Sequence, residues 1–274
     1  MRKPTHWPPV RFVLDVIQRY NDDGGGQLAA SVTYYAFLSV LPLVLLAMSA
    51  AGFLISRYGE EEQTRLVVRL SGDIPGLGPL IERNLDALIR GRTTIGVIAV
   101  VGIIWAGSGG MGAGRFALAK IFRVKDPGGI VAPRLRSLGL LLIIGVLALA
   151  AVASAGLATN LRLEGTTRTV ILIAGMAGGF VLDFAAALVA YYFLTPKHPV
   201  PVRDLLPGTI LAASMFLALK IAGSWYAARV VAGATAIYGT FAGVIGALVL
   251  LNLAAQAFLY GAELSALLRD RRKS

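Results

Sequence analysis

The chain has 274 residues, of which 56% are hydrophobic and only 15% charged, with a mean hydropathy of +0.71; that is more apolar surface than a soluble core hides, and the excess has to face lipid. No cysteine is present, which excludes disulfides and thiolate chemistry, and His6 and His198 are too few for a multi-histidine metal centre. The formal charge of +11 would point to nucleic acid in a soluble protein, but here the basic residues cluster at the ends of apolar segments, as in cationic cytoplasmic loops near anionic lipid.

The first 26 residues carry charges throughout and lack the apolar run of a cleavable signal. Within them, residues 8–21 mix Val10, Phe12, Val13, Val16 and Ile17 with Arg11, Asp15 and Arg19, which predicts an interfacial amphipathic helix too short and too charged to span. Asn21-Asp22-Asp23-Gly24-Gly25-Gly26 then ends it, because these residue types favour turns. The first expected span, 27–56, is longer than the roughly 20 residues that cross a bilayer, and Pro42 supplies a cause for a kink.

Residues 57–92 balance six basic against six acidic side chains, and apolar residues at helical spacing predict two short amphipathic helices lying over the bundle, divided at Gly72–Gly76. Further spans are expected at 94–114, 137–159, 169–195, 207–231 and 240–267. The fold class is therefore an all-α integral membrane protein. It comprises a cytoplasmic segment 1–26, one six-helix transmembrane domain 27–267 with an extracytoplasmic insertion at 57–92, and a basic tail 268–274. Lys and Arg number fifteen on the side of the termini and nine on the other, six of the nine in the neutral insertion, so both termini are expected in the cytoplasm.

Glycines four apart (Gly110 and Gly114, Gly175 and Gly179, Gly239 and Gly243) would permit close helix packing. Gly107 to Gly112 matches a dinucleotide-binding pattern by letter only, since it lies in an apolar helix with no preceding strand. Trp7 and Trp225 fit interfacial positions, whereas Trp105 falls deep enough to be packed in the bundle.

An ionisable group near mid-bilayer costs about 3 kcal/mol or more, which makes it a functional candidate. Asp183 and Lys220 occupy the middles of consecutive antiparallel segments, so they can lie at similar depth, face the interior and pair. Such a pair serves either an ion-linked or anion-attracting path or the register of two helices. Around it stand Tyr34, Tyr35, Ser39 and Pro42 on the first span, Tyr226 on the fifth, and Asn252, Gln256 and Glu263 on one face of the sixth. Glu263 is expected at headgroup level with a basic partner. No nucleophile elbow, histidine base or phosphate-cradling loop occurs.

Several stretches together resemble the YihY/virulence factor BrkB family of bacterial inner-membrane proteins. They are Leu28-Ala-Ala-Ser-Val-Thr-Tyr-Tyr-Ala-Phe-Leu-Ser-Val-Leu-Pro42, Ala117-Leu-Ala-Lys-Ile-Phe-Arg-Val124, Leu205-Leu-Pro-Gly-Thr209, the run from Lys220 to Tyr226, Ile237-Tyr-Gly239 and Gly261-Ala-Glu-Leu264. Where the family pattern has Tyr-basic-x-x-Pro, this chain has Tyr191-Tyr192-Phe-Leu-Thr-Pro196, without the basic residue. The resemblance implies a six-helix inner-membrane protein, often described as a transporter and linked in some members to envelope phenotypes and serum resistance. Some members have carried the label ribonuclease BN, which the lack of metal ligands here does not support.

The resulting expectation is a transporter or flippase-like exporter of a small polar or envelope-related substrate, not an enzyme, without cofactor, metal or nucleic acid. Its partners are membrane lipids and the ligand moved, and a homo-oligomer is compatible with it. The alternative is an envelope scaffold that binds lipid or protein through the 57–92 insertion.

Overall fold

The structure is a computed structural model, and it describes residues 8–55, 78–124, 143–145, 147, 150, 165–195, 200–226, 229 and 236–273. Six long helices are described: α1 (Pro8–Asp22), α2 (Gly25–Ile55), α3 (Gly78–Ile121), α4 (Gly165–Leu194), α5 (Val202–Tyr226) and α6 (Ala236–Lys273). No strand occurs among the described residues. Four stretches are long and apolar enough to cross a bilayer: Thr93–Ile121, Thr169–Leu194, Val202–Tyr226 and Gly243–Arg272. Less than a third of each apolar window is buried by protein, so most of these side chains need a lipid neighbour. The expected 137–159 span and the first half of the 57–92 insertion lie largely outside the described residues.

The chain falls into two compact units, residues 35–108 and residues 1–34 with 109–274. In the smaller unit α2 and α3 run antiparallel, with Pro42 beside Gly102 and Ser49 beside Gly96. Helix α2 continues through Pro42, whose ring deprives the carbonyl four residues back of its donor.

Two sequence expectations are corrected in this unit. Residues 80–89 do not form a separate short helix, because α3 runs unbroken from Gly78 through Gly91 into the apolar span; one glycine lowers helix propensity by only about 1 kcal/mol and stops nothing without a turn partner. Trp105 is not packed in the bundle but is 64% exposed. It continues a stripe with Val97 and Val101 at four-residue spacing, a helix face turned toward lipid.

The larger unit is built around the C-terminal half of α6. Its core gathers Leu28 and Ala29 of α2, Ala117, Leu118 and Ile121 of α3, Ala187, Ala190 and Tyr191 of α4, Leu205 and Ala212 of α5, and Leu259, Ala262 and Ala266 of α6. The buried residues fall mostly in the last half of α4, the first half of α5 and the last half of α6, so these helices converge at one end. Helix α1 runs antiparallel to α6 there, with Phe12 under Arg271 and Tyr20 stacked on Tyr260 at 4.0 Å.

Two turns make that convergence. Gly24 takes φ 67°, the left-handed position that closes α1, and its N–H bonds the Asn21 carbonyl at 3.0 Å. Gly25 starts α2 where a Cβ would strike the Tyr20 ring. Arg123 (φ 53°) ends α3 with Val124 N–H donating to Ala119 O and Arg123 N–H to Lys120 O.

Candidate functional site

The closest helix approach is between α5 and α6. A Cβ on Gly208 or on Gly261 would collide with the backbone carbonyl of the other, so only hydrogen fits at both points. Ser265 locks the crossing: its hydroxyl accepts from Gly208 N–H at 3.2 Å and donates to Leu205 O at 3.1 Å. Tyr191, fully buried, reaches in from α4 and donates to Phe258 O at 2.5 Å. Two of the glycines marked by spacing, Gly243 and Gly114, make no such approach. Gly243 has nothing within 4 Å and Gly114 meets only the Leu194 side chain at 3.5 Å. The readable signal was Gly208 with Ala212 and Gly261 with Ser265, small residues four apart on the two facing helices.

At the outer edge of that packed end the Lys220 ammonium donates to Asp183 Oδ2 at 2.6 Å. The Asp183 side chain is 9% exposed and that of Lys220 is 24% exposed. Antiparallel α4 and α5 bring the two mid-span residues level, as their positions in the sequence predict. A charge-assisted contact of this length offsets much of the cost of holding each charge among apolar helices. It also leaves the ammonium partly open.

A second polar line crosses from α2 to α6. Asn252 Nδ2 donates to Thr33 Oγ1 at 3.2 Å, and Gln256 Nε2 donates to Asn252 Oδ1 at 2.6 Å. Thr33 in turn donates to Ala29 O at 2.7 Å. Tyr34 is 58% exposed; the Ser39 hydroxyl turns back onto its own helix, to Ala36 O at 2.6 Å; and Tyr226 packs its ring over Gly246. Tyr35, Ser39 and Pro42 belong to the smaller unit.

Glu263 has the basic partner expected for it and is fully buried where α1 packs on α6. Its Oε2 lies 3.1 Å from Arg19 Nε. The same guanidinium donates to Asp270 Oδ2 at 2.8 Å and to Ile121 O, one of the last carbonyls of α3, at 3.2 Å. Burial, with Tyr260 and Glu263 alongside, pushes the Tyr20 phenol up to about 12, so it stays protonated at neutral pH. Two further pairs tie this end together, Arg272 to the buried Asp204 at 2.6 Å and Arg271 to Asp15 at 2.5 Å. The basic partner of Glu263 could be expected from sequence, but not that it would come from α1.

Three of the stretches quoted from sequence as resembling a family meet at this packed end: Leu205–Thr209 crosses Gly261–Leu264, and the end of Ala117–Val124 receives Arg19. The family description "Virulence factor BrkB" matches residues 16–274. The chain belongs to the virulence factor BrkB family. It is 24% identical to the inner membrane protein YhjD of Escherichia coli over 80% of this chain and 70% of that one. A UPF0761 membrane protein of Alkalilimnicola ehrlichii is 28% identical over 93% of this chain, which spans only 57% of that relative's length. YfkH of Bacillus subtilis, named as ribonuclease-like, is 22% identical over 96% of both chains. No solved structure matches.

Proposed function

We propose that this BrkB-family protein is a six-span bacterial inner-membrane transporter or flippase-like exporter of a small polar or envelope-related substrate, with Asp183 and Lys220 on its path. The observation that carries the reading is the 2.6 Å contact between two opposite charges on helices that otherwise face lipid. The Lys220 side chain retains 24% of its exposure, so the ammonium is not fully enclosed between α4 and α5. The Thr33–Asn252–Gln256 line adds polar groups on neighbouring helices.

The six-span count is supported by connectivity. The ends of α3 and α4 lie together, Gly114 beside Leu194. Helix α4 is 30 residues long, about 45 Å, so the chain leaving α3 has to travel that length to reach Gly165. The gathering of basic ends at this side favours its being cytoplasmic. The exposed Val13, Leu14 and Ile17 of α1 then rest in the headgroup zone.

The test is complementation of a deletion strain, read as resistance of its envelope to detergent. Wild-type protein should restore resistance and Lys220→Ala should not, at equal amounts in the membrane. Full restoration by Lys220→Ala would sink the reading.

A further inference from the structure

Helix α1 has three sides. Val16 and Tyr20, four residues apart, are buried and turned to α6. Val13, Leu14 and Ile17 form a second, apolar side and are 55%, 49% and 40% exposed. Arg11 and Gln18, both exposed, border that apolar side on the edge away from α6.

The contacts along α1 fix its level. Tyr20 stacks on Tyr260, Arg19 lies at Glu263, and Phe12 lies under Arg271, so α1 follows the last turns of α6 over roughly 16 Å. Leu14 and Ile17 are therefore level with the stretch of α6 between Glu263 and Arg271, where an apolar span passes into the basic residues Arg269, Arg271 and Arg272. That is the depth of lipid headgroups.

Positive charge is left over at this end once the helix contacts are made. Asp15 and Asp204 are held by Arg271 and Arg272, and Glu263 and Asp270 by Arg19. Arg11, Lys120 and Arg123 are exposed and make no ion pair among the described residues, and the side chain of Arg203 is 79% exposed. Against them stands one exposed acid of α1, Asp22. Arg11 stands at the start of the apolar side, and Lys120 lies beside Gly24 at the far end of α1. An exposed apolar face bracketed by unpaired cations complements an anionic interface. A second copy of this chain would instead set like charges against each other.

We propose that the side of α1 bearing Val13, Leu14 and Ile17, with Arg11 and Lys120 at its two ends, is a docking surface for anionic phospholipid headgroups of the inner leaflet. The apolar side chains enter below the headgroups and the cations pair with lipid phosphates, so lipid covers the side of α1 that α6 leaves open. The inference rests on the placement of this end at the membrane surface and not on transport.

The chain has no cysteine, so Leu14→Cys carries a single fluorophore. The labelled full-length protein is reconstituted in vesicles of equal phosphatidylglycerol and phosphatidylcholine with the same acyl chains, with a quenching nitroxide high on the chain of one lipid or of the other. Nitroxide phosphatidylglycerol should quench the label at position 14 about twofold more than nitroxide phosphatidylcholine. A label at Val249→Cys, 51% exposed on the apolar surface of α6, should be quenched equally by both. Arg11→Gln combined with Lys120→Gln, at exposed positions outside the helix contacts, should remove the preference at position 14 while the label stays quenched. Equal quenching by the two lipids in the wild-type background overturns the proposal, and so does a preference that survives unchanged in the double variant. Quenching by neither lipid overturns it as well, because the face is then covered by a second copy, another protein or water; none of these results bears on the transport reading, which the Lys220→Ala complementation tests separately.

Discussion

Gly208 and Gly261 face each other so closely that a Cβ on either would run into the other's backbone carbonyl. Because the obstacle is backbone, no rotamer change relieves it, and α5 has to move off α6. Gly208→Ala or Gly261→Ala should each destabilise the protein by about 2–3 kcal/mol or more, seen as a lower Tm in detergent. Gly112→Ala, with nothing within 4 Å of the added carbon, should be neutral or slightly stabilising, since alanine favours helix.

The Asp183–Lys220 contact predicts strong non-additivity. Removing one partner leaves the other charge uncompensated, at a cost of about 3 kcal/mol, so Asp183→Asn and Lys220→Met should each lower Tm clearly. The double substitution Asp183→Asn with Lys220→Met should regain most of the loss. If the two single losses simply add, the pair does not interact as its 2.6 Å separation requires.

Arg19→Ala should release α1. It removes the ion pair of the fully buried Glu263 and the tie to Ile121 O, so a cost of about 3 kcal/mol is expected. Limited proteolysis should then cut near Gly24 faster in the variant than in the wild type. Arg19→Lys should rescue only in part, since an ammonium cannot span Glu263, Asp270 and Ile121 O with a planar fork.

Tyr191→Phe deletes one hydroxyl from the core and with it the 2.5 Å bond to Phe258 O. The expected loss is about 1 kcal/mol, with the ring's packing on Phe258 kept. Unchanged stability would mean that the α4–α6 contact rests on packing alone.

Much of this arrangement is written in local pattern. Apolar length marks the spans Thr169–Leu194 and Val202–Tyr226, and opposite charges at the middles of two consecutive antiparallel helices foretell their meeting. Asn252 and Gln256, four apart, share a helix face and do bond. What was hidden depends on which helices touch. The complete burial of Glu263 follows from α1 folding back over it, and the fold-back hinges on Gly24 and Gly25 among three consecutive glycines that sequence alone does not distinguish. The glycine crossing was concealed in the same way, because its four-residue partners are Ala212 and Ser265 rather than glycines. The continuity of α3 past Gly91 was obscured by the charges of residues 82–92, which read as a surface element but extend a span already nucleated by its apolar part.

The chain contains no cysteine, so one introduced thiol reports its own surroundings, and this gives the most direct test of Asp183 and Lys220 as part of a polar path. The measurement is reaction of Lys220→Cys in membrane vesicles with a charged, membrane-impermeant methanethiosulfonate and with a lipid-soluble maleimide. Ile221→Cys, at a neighbouring site 50% exposed on the apolar surface, serves as the comparison. A water-accessible path predicts that the charged reagent modifies position 220 and spares position 221. Modification of position 220 by the lipid-soluble reagent alone would contradict it and leave the pair a structural tie between α4 and α5.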